Sequence, residues 1–110
     1  MRPLGRLGAL ARTGPYVAEA PLAIVVAVAK TRFAVSDASH TIQSMLLTAW
    51  ADGVGSNWVG FGGLEDVKAL LKIPAKVDVL AILLFGYPVG VVGRGNKRRK
   101  PLGAVAHRER

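Results

Sequence analysis

Cysteine is absent from the 110 residues, and histidine occurs only at His40 and His107. Without cysteine there is no disulfide framework, thiol nucleophile, zinc finger or iron–sulfur centre, and two lone histidines disfavour a His-rich metal site. Long apolar runs are also missing. The run Ala20 to Ala29 is ten residues, against the ~20 that a spanning helix needs. The longer uncharged stretch from Val79 to Gly93 is interrupted by Gly86, Pro88 and Gly90. Arg2 and Arg6 precede no apolar core of a signal peptide, because Gly5, Gly8 and Arg12 break the segment. A secretory signal and a membrane partner are therefore not expected, and a cytoplasmic protein is.

Acidic residues are scarce, seven against fifteen Lys and Arg, for a formal net charge of +8. The imbalance sits at the ends. Residues 1–12 hold Arg2, Arg6 and Arg12 with no acid, and residues 94–110 hold seven bases against Glu109 alone. Between them five bases face six acids. A nucleic-acid-binding domain usually spreads its charge over a folded face, so this distribution argues against a nucleic-acid partner. It describes a neutral body with a basic arm suited to some anion.

What is abundant is apolar: 51% of the residues are hydrophobic, enough for one domain that buries roughly 65% of its unfolded surface. The expected organisation is a basic leader over 1–14, disordered or weakly helical, a domain over 15–93 and a basic arm over 94–110. Leu22–Ala29 is β-branched without polar alternation, as in a strand buried on both faces. Ser36 or Asp37 is the expected cap of a helix whose Ala38, Ile42, Met45, Leu46, Ala49 and Trp50 share a face. Gly53 stands where a C′ glycine belongs. Ser56–Val59 reads as a short extended segment and Leu64–Leu71 as a second helix, with Glu65 and Asp66 at its positive end. Asp78–Phe85 reads as a second buried strand. The pattern is an α/β alternation without repeats.

Gly53-Val-Gly55-Ser-Asn-Trp58 departs from a dinucleotide fingerprint, with Trp58 at the third glycine's place and a helix where a strand should precede it. No phosphate-binding P-loop and no Ser/His/Asp set can be argued, and His40 and His107 read as ordinary helix and surface residues. Gly60, Gly62 and Gly63 surround an aromatic between a strand and a helix. They allow close backbone approach to a flat ligand, the plain alternative being a turn. Trp50 and Trp58 read as packing residues. Lys97-Arg-Arg-Lys100 is either a solvated run or a phosphate clamp, since guanidinium pairs bidentately with phosphate oxygens.

Five segments in order resemble the C-terminal half of the flavin-dependent nitroreductase family. They are Tyr16–Ala27, Ile42–Trp50, Gly53–Gly60, Phe85-Gly-Tyr-Pro88 and Arg98–His107, together covering about residues 16–110. The resemblance implies an α+β sheet-and-helix sandwich, here partial, that forms a homodimer with FMN at the interface. It implies an oxidoreductase that passes hydride from NAD(P)H through the flavin to a nitroaromatic, quinone or related small acceptor. Trp58, Val59, Gly60 and Phe61 match the loop that sets backbone groups beside the flavin ring. Lys97 and Arg99 match the basic pair on the FMN phosphate, and Arg98 is their neighbouring candidate. Gln43 lies on the helix near the family's dimer interface and is expected to pack. Family members run to about twice this length, and their N-terminal Arg-Ser-x-Arg grip is not found among Arg2, Arg6 and Arg12. A truncated member is expected. The alternative is a non-enzymatic remnant whose basic arm binds polyanions or a partner subunit.

Overall fold

A computed structural model describes residues 19–60 and 64–109, so the expected leader over 1–14 and Phe61 lie outside the described residues. The elements are β1 (Leu22–Ala29), α1 (Ala34–Ala51), β2 (Gly55–Val59), α2 (Glu65–Leu71), β3 (Val77–Gly86) and α3 (Leu102–Val105). The three strands form one sheet in the order β1-β3-β2, with β3 antiparallel to both neighbours. β1 and β2 are thus parallel to each other, joined through α1, and the last strand of the chain slots between them. The reading of α/β alternation gave the order of the first five elements, and the short α3 in the basic arm was not expected. The sheet is nonetheless antiparallel at each ladder, because β3 separates the two strands that a βαβ unit would have paired.

Each face of β3 has its own core, which is why Asp78–Phe85 reads as continuously apolar. Ala81, Leu83 and Phe85 point toward α1 and pack with Ile42, Met45, Leu46 and Ala49. Ile82 and Leu84 point the other way and pack with Val59 of β2 and Val67 of α2. Alternation of side chains along a strand places consecutive residues in the two clusters. The expected double burial of β1 does not hold. None of its residues is fully buried, and Leu22 is 52% exposed. Among the described residues β1 has a strand neighbour on one side only, and its side chains are partly buried on both faces, Ala23 and Val25 against one cluster and Ile24 and Val26 against the other.

The ladder between β1 and β3 carries one bulge. Val26 pairs with Ala81 and Ala27 with Val79, which leaves Leu80 as the extra residue. Bulges bend a strand and re-aim the groups beside them.

The helix ends show where local chemistry departs from expectation. Neither Ser36 nor Asp37 caps α1. The helix begins earlier, at Ala34, with Phe33 in the cap position and no side-chain cap bond. Thr31 Oγ1 accepts from the Phe33 N–H at 3.2 Å, and the Asp37 N–H already donates to the Phe33 carbonyl at 2.8 Å. Asp37 therefore sits inside the first turn, where its charge still suits the helix dipole. At the other end Gly53 has φ of 79°, its N–H donating to the Trp50 carbonyl at 3.0 Å and that of Val54 to Ala49 at 2.8 Å. That pair of bonds is a Schellman motif, and the left-handed residue in it is the expected glycine. α2 closes with the same geometry, Lys72 to Ala69 at 3.4 Å and Ile73 to Lys68 at 2.9 Å. Here a lysine, φ 57° and ψ 38°, holds the left-handed position.

Lys68 is 9% exposed, the buried charged residue of the fold. It belongs to α2, and its Nζ donates to the Ala75 carbonyl at 3.3 Å, with Asp78 at 3.9 Å and Glu65 at 3.8 Å. Lys30 meets the same Asp78 from β1's end at 3.6 Å. No helix among the described residues is long and apolar enough to cross a membrane.

Candidate functional site

The residues matched to a flavin-facing loop stand at the end of β2, an outer strand of the sheet. Pairing of Trp58 with Leu83 and Val59 with Ile82 fixes which way each side chain points. Val59 turns toward the α2 face and is 3% exposed, a core residue. Only its backbone is left to meet a ligand. Trp58 turns the other way, half-buried against the α1-side cluster. Gly60 follows on the same face as Trp58. A Cβ at Gly60 would lie 2.8 Å from Trp58 Nε1 and 3.0 Å from the Leu80 carbonyl oxygen, so this position has no room for a side chain. The end of β2 thus lies at a sheet edge, and the missing side chain of Gly60 makes room for the Trp58 indole and the Leu80 carbonyl.

Lys97, Arg98 and Arg99 are exposed on the arm that leaves β3, and none of them makes an ion pair among the described residues. The arm departs after Gly86, which pairs with Gly55, the end of β2 opposite Trp58. The arm thus starts at the end of β2 away from the Trp58–Gly60 backbone. The arm's apolar residues are uncovered as well. Tyr87 is 80% exposed, Val89 and Val91 are fully so, and Leu102 and Val105 keep most of their surface.

Gln43 is exposed on α1, because Ile42 and Met45 take the inward positions of that turn. One expectation needs correction: by its helical spacing Trp50 belongs to the buried face. It is instead 51% exposed, at the last turn of α1, beside an open depression of about 540 Å3. That depression is lined by Pro21, Gly55, Phe85, Tyr87, Pro88 and Val92 among others. His40 is an exposed helix residue, as expected. Sequence reasoning missed Leu80: no residue pattern marks a bulge, and only the ladder register reveals that its carbonyl abuts Gly60.

This sheet with a helix on either face is an α+β sandwich of the nitroreductase fold. An FMN-dependent nitroreductase from Clostridium difficile superposes with a TM-score of 0.82 at 26% identity, covering 96% of this chain and 68% of that one. Nitroreductase A from Vibrio parahaemolyticus superposes at 0.74 and 24% identity, over 96% of this chain and 53% of its own. The nitroreductase family model matches residues 9–87. The chain belongs to the nitroreductase family. It is 34% identical over 84 residues to a candidate NADH dehydrogenase/NAD(P)H nitroreductase of Methanothermobacter thermautotrophicus, an alignment covering 68% of this chain and 44% of the relative. The chain thus spans less than half the length of that relative.

Proposed function

We propose that this chain contributes an FMN site to an oxidoreductase that uses NAD(P)H to reduce a nitroaromatic, quinone or related small acceptor. The observation that carries the reading is the end of β2: Trp58, Val59 and Gly60 offer backbone at an open sheet edge, with no side chain possible at Gly60. The residues fit the group in kind. A planar ring needs bare backbone beside it, and a phosphate needs cations that no carboxylate already holds. FMN, when bound, supplies the hydride chemistry. Val59 and Gly60 would hold the ring through main-chain groups. Phe61, matched to the same loop, belongs to the proposal by resemblance alone. Lys97 and Arg99, with Arg98 beside them, would take the phosphate.

A second copy of the chain supports this arrangement better than one copy does. The arm's Val89, Val91, Leu102 and Val105 are uncovered, and the arm starts at the far end of β2 from Gly60. A homodimer, in the cytoplasm, is therefore part of the proposal. The test is the visible spectrum of the 110-residue chain after incubation with FMN and desalting. Retained flavin bands support the reading, and a colourless protein overturns it for this chain.

A second reading has its own observation. Among the described residues the arm's Lys97, Arg98 and Arg99 are exposed and make no ion pair. A chain without flavin chemistry would bind polyanions through that arm, with affinity falling steeply as salt rises and little sequence preference. Salt-insensitive or absent binding to single-stranded RNA removes it.

A further inference from the structure

The bulge at Leu80, the bare Cα of Gly60 and the indole of Trp58 meet at one point. Leu80 is the residue that the β1 ladder skips, and its carbonyl oxygen lies 3.0 Å from where a Cβ of Gly60 would stand. From the other side Trp58 Nε1 is 2.8 Å and Cδ1 is 3.3 Å from the same point. The indole is a rigid plate with two torsions, and the carbonyl belongs to the central strand. Neither gives way cheaply. Next to them is a cavity of about 260 Å3 lined by Val35 and Ser39 of α1 together with Trp58, Gly60 and Leu80.

We propose that Trp58 is a positioning residue, locked over Gly60 against the Leu80 bulge, and that this lock fixes the orientation of the Val59–Gly60 backbone. The inference rests on the proposed flavin site, because the backbone so aimed is the part assigned to the ring. Trp58 acts through Gly60: its indole edge fixes where the Val59 and Gly60 peptide groups point. A methyl at residue 60 must push the indole out. The adjoining cavity is the space open to it, and it is more exposed to water than the present packing against the α1-side cluster.

The experiment uses the full chain with Trp50→Phe, so that Trp58 is the only indole. It measures Trp58 emission without flavin, and the dissociation constant of FMN by flavin fluorescence. Gly60→Ala is expected to shift the emission to longer wavelength and to weaken FMN binding by about 10-fold or more, as small-to-large changes in packed sites do. Trp58→Val removes the two indole atoms nearest Gly60. In that background Gly60→Ala should cost at least about five-fold less in FMN affinity, the mark of two residues acting through one contact. Equal costs in both backgrounds overturn the lock, as does unchanged emission in Gly60→Ala.

Should Gly60→Ala fail to fold, thermal unfolding decides: Trp58→Val/Gly60→Ala must then fold where Gly60→Ala does not. If the parent chain takes up no FMN, the flavin reading falls, and the lock stands or falls on emission and unfolding alone.

Discussion

Ile42 and Leu47 stand five residues apart on α1 and have opposite surroundings, which makes them a matched test of how the helix docks. Ile42 is 0% exposed in the cluster with Leu83 and Phe85, whereas Leu47 is 60% exposed. Ile42→Ala removes three carbons, worth about 2.4 kcal/mol at ~0.8 per buried methylene. An unfilled cavity raises this to about 3–4 kcal/mol. Leu47→Ala removes as many carbons from a mostly wetted site, and alanine's better helix propensity offsets part of the loss. Its cost should stay under about 1 kcal/mol. Urea unfolding followed by far-ultraviolet circular dichroism measures both, with the slope checked so that a shifted midpoint means altered stability. An Ile42→Ala cost below about 1 kcal/mol would show that α1 is not seated on β3 as described. A Leu47→Ala cost equal to that of Ile42→Ala would refute the exposure of its face in the folded chain.

Other outcomes follow from single positions. Lys72→Gly relieves a left-handed lysine at φ 57° and should stabilise by about 0.5–1 kcal/mol, whereas Gly53→Ala at φ 79° should destabilise by about 1 kcal/mol, both read by thermal unfolding. Lys68→Met keeps the buried stem, and because Glu65 is 82% exposed and Asp78 45%, its lost ion pairs should cost less than about 1 kcal/mol. Lys68→Ala should cost more, and equal losses in the two variants would show that the charge, not the stem, matters. Arg99→Ala should weaken FMN binding about 10- to 100-fold through one lost charge-assisted contact. Unchanged flavin affinity in that variant removes the phosphate assignment.

Much of the fold was legible because it is written in local patterns. Leu22–Ala29 and Asp78–Phe85 announce strands by unbroken β-branched and apolar residues, and the structure ends them within a residue of those limits. Gly53 announces a helix end because only a residue tolerant of positive φ fits there. Strand order was not legible. Nothing in β1 says that it will sit at a rim, since a strand's neighbours are chosen by the whole sheet. The start of α1 was misread for a related reason: Asp37 is as favourable in a first turn as at a cap, and the sequence does not choose between them. The candidate site divides similarly. Gly60 stood out as a glycine, but its reason for being one lies in the folded position of the Trp58 indole and in Leu80 of another strand.

The position of β3 between two earlier strands has a consequence for synthesis. β1 is finished at Ala29, yet its ladder partner ends at Gly86, nearly sixty residues later. At ~5–20 residues per second a ribosome takes about 3–12 s to cover that interval. Throughout it, β1, α1 and α2 have no sheet to rest on, because β2 is not hydrogen-bonded to β1. Cooperative folding must therefore wait until β3 clears the exit tunnel. A nascent chain arrested before residue 77 should remain sensitive to protease along its whole emerged length, and protection should arrive in one step once β3 is out.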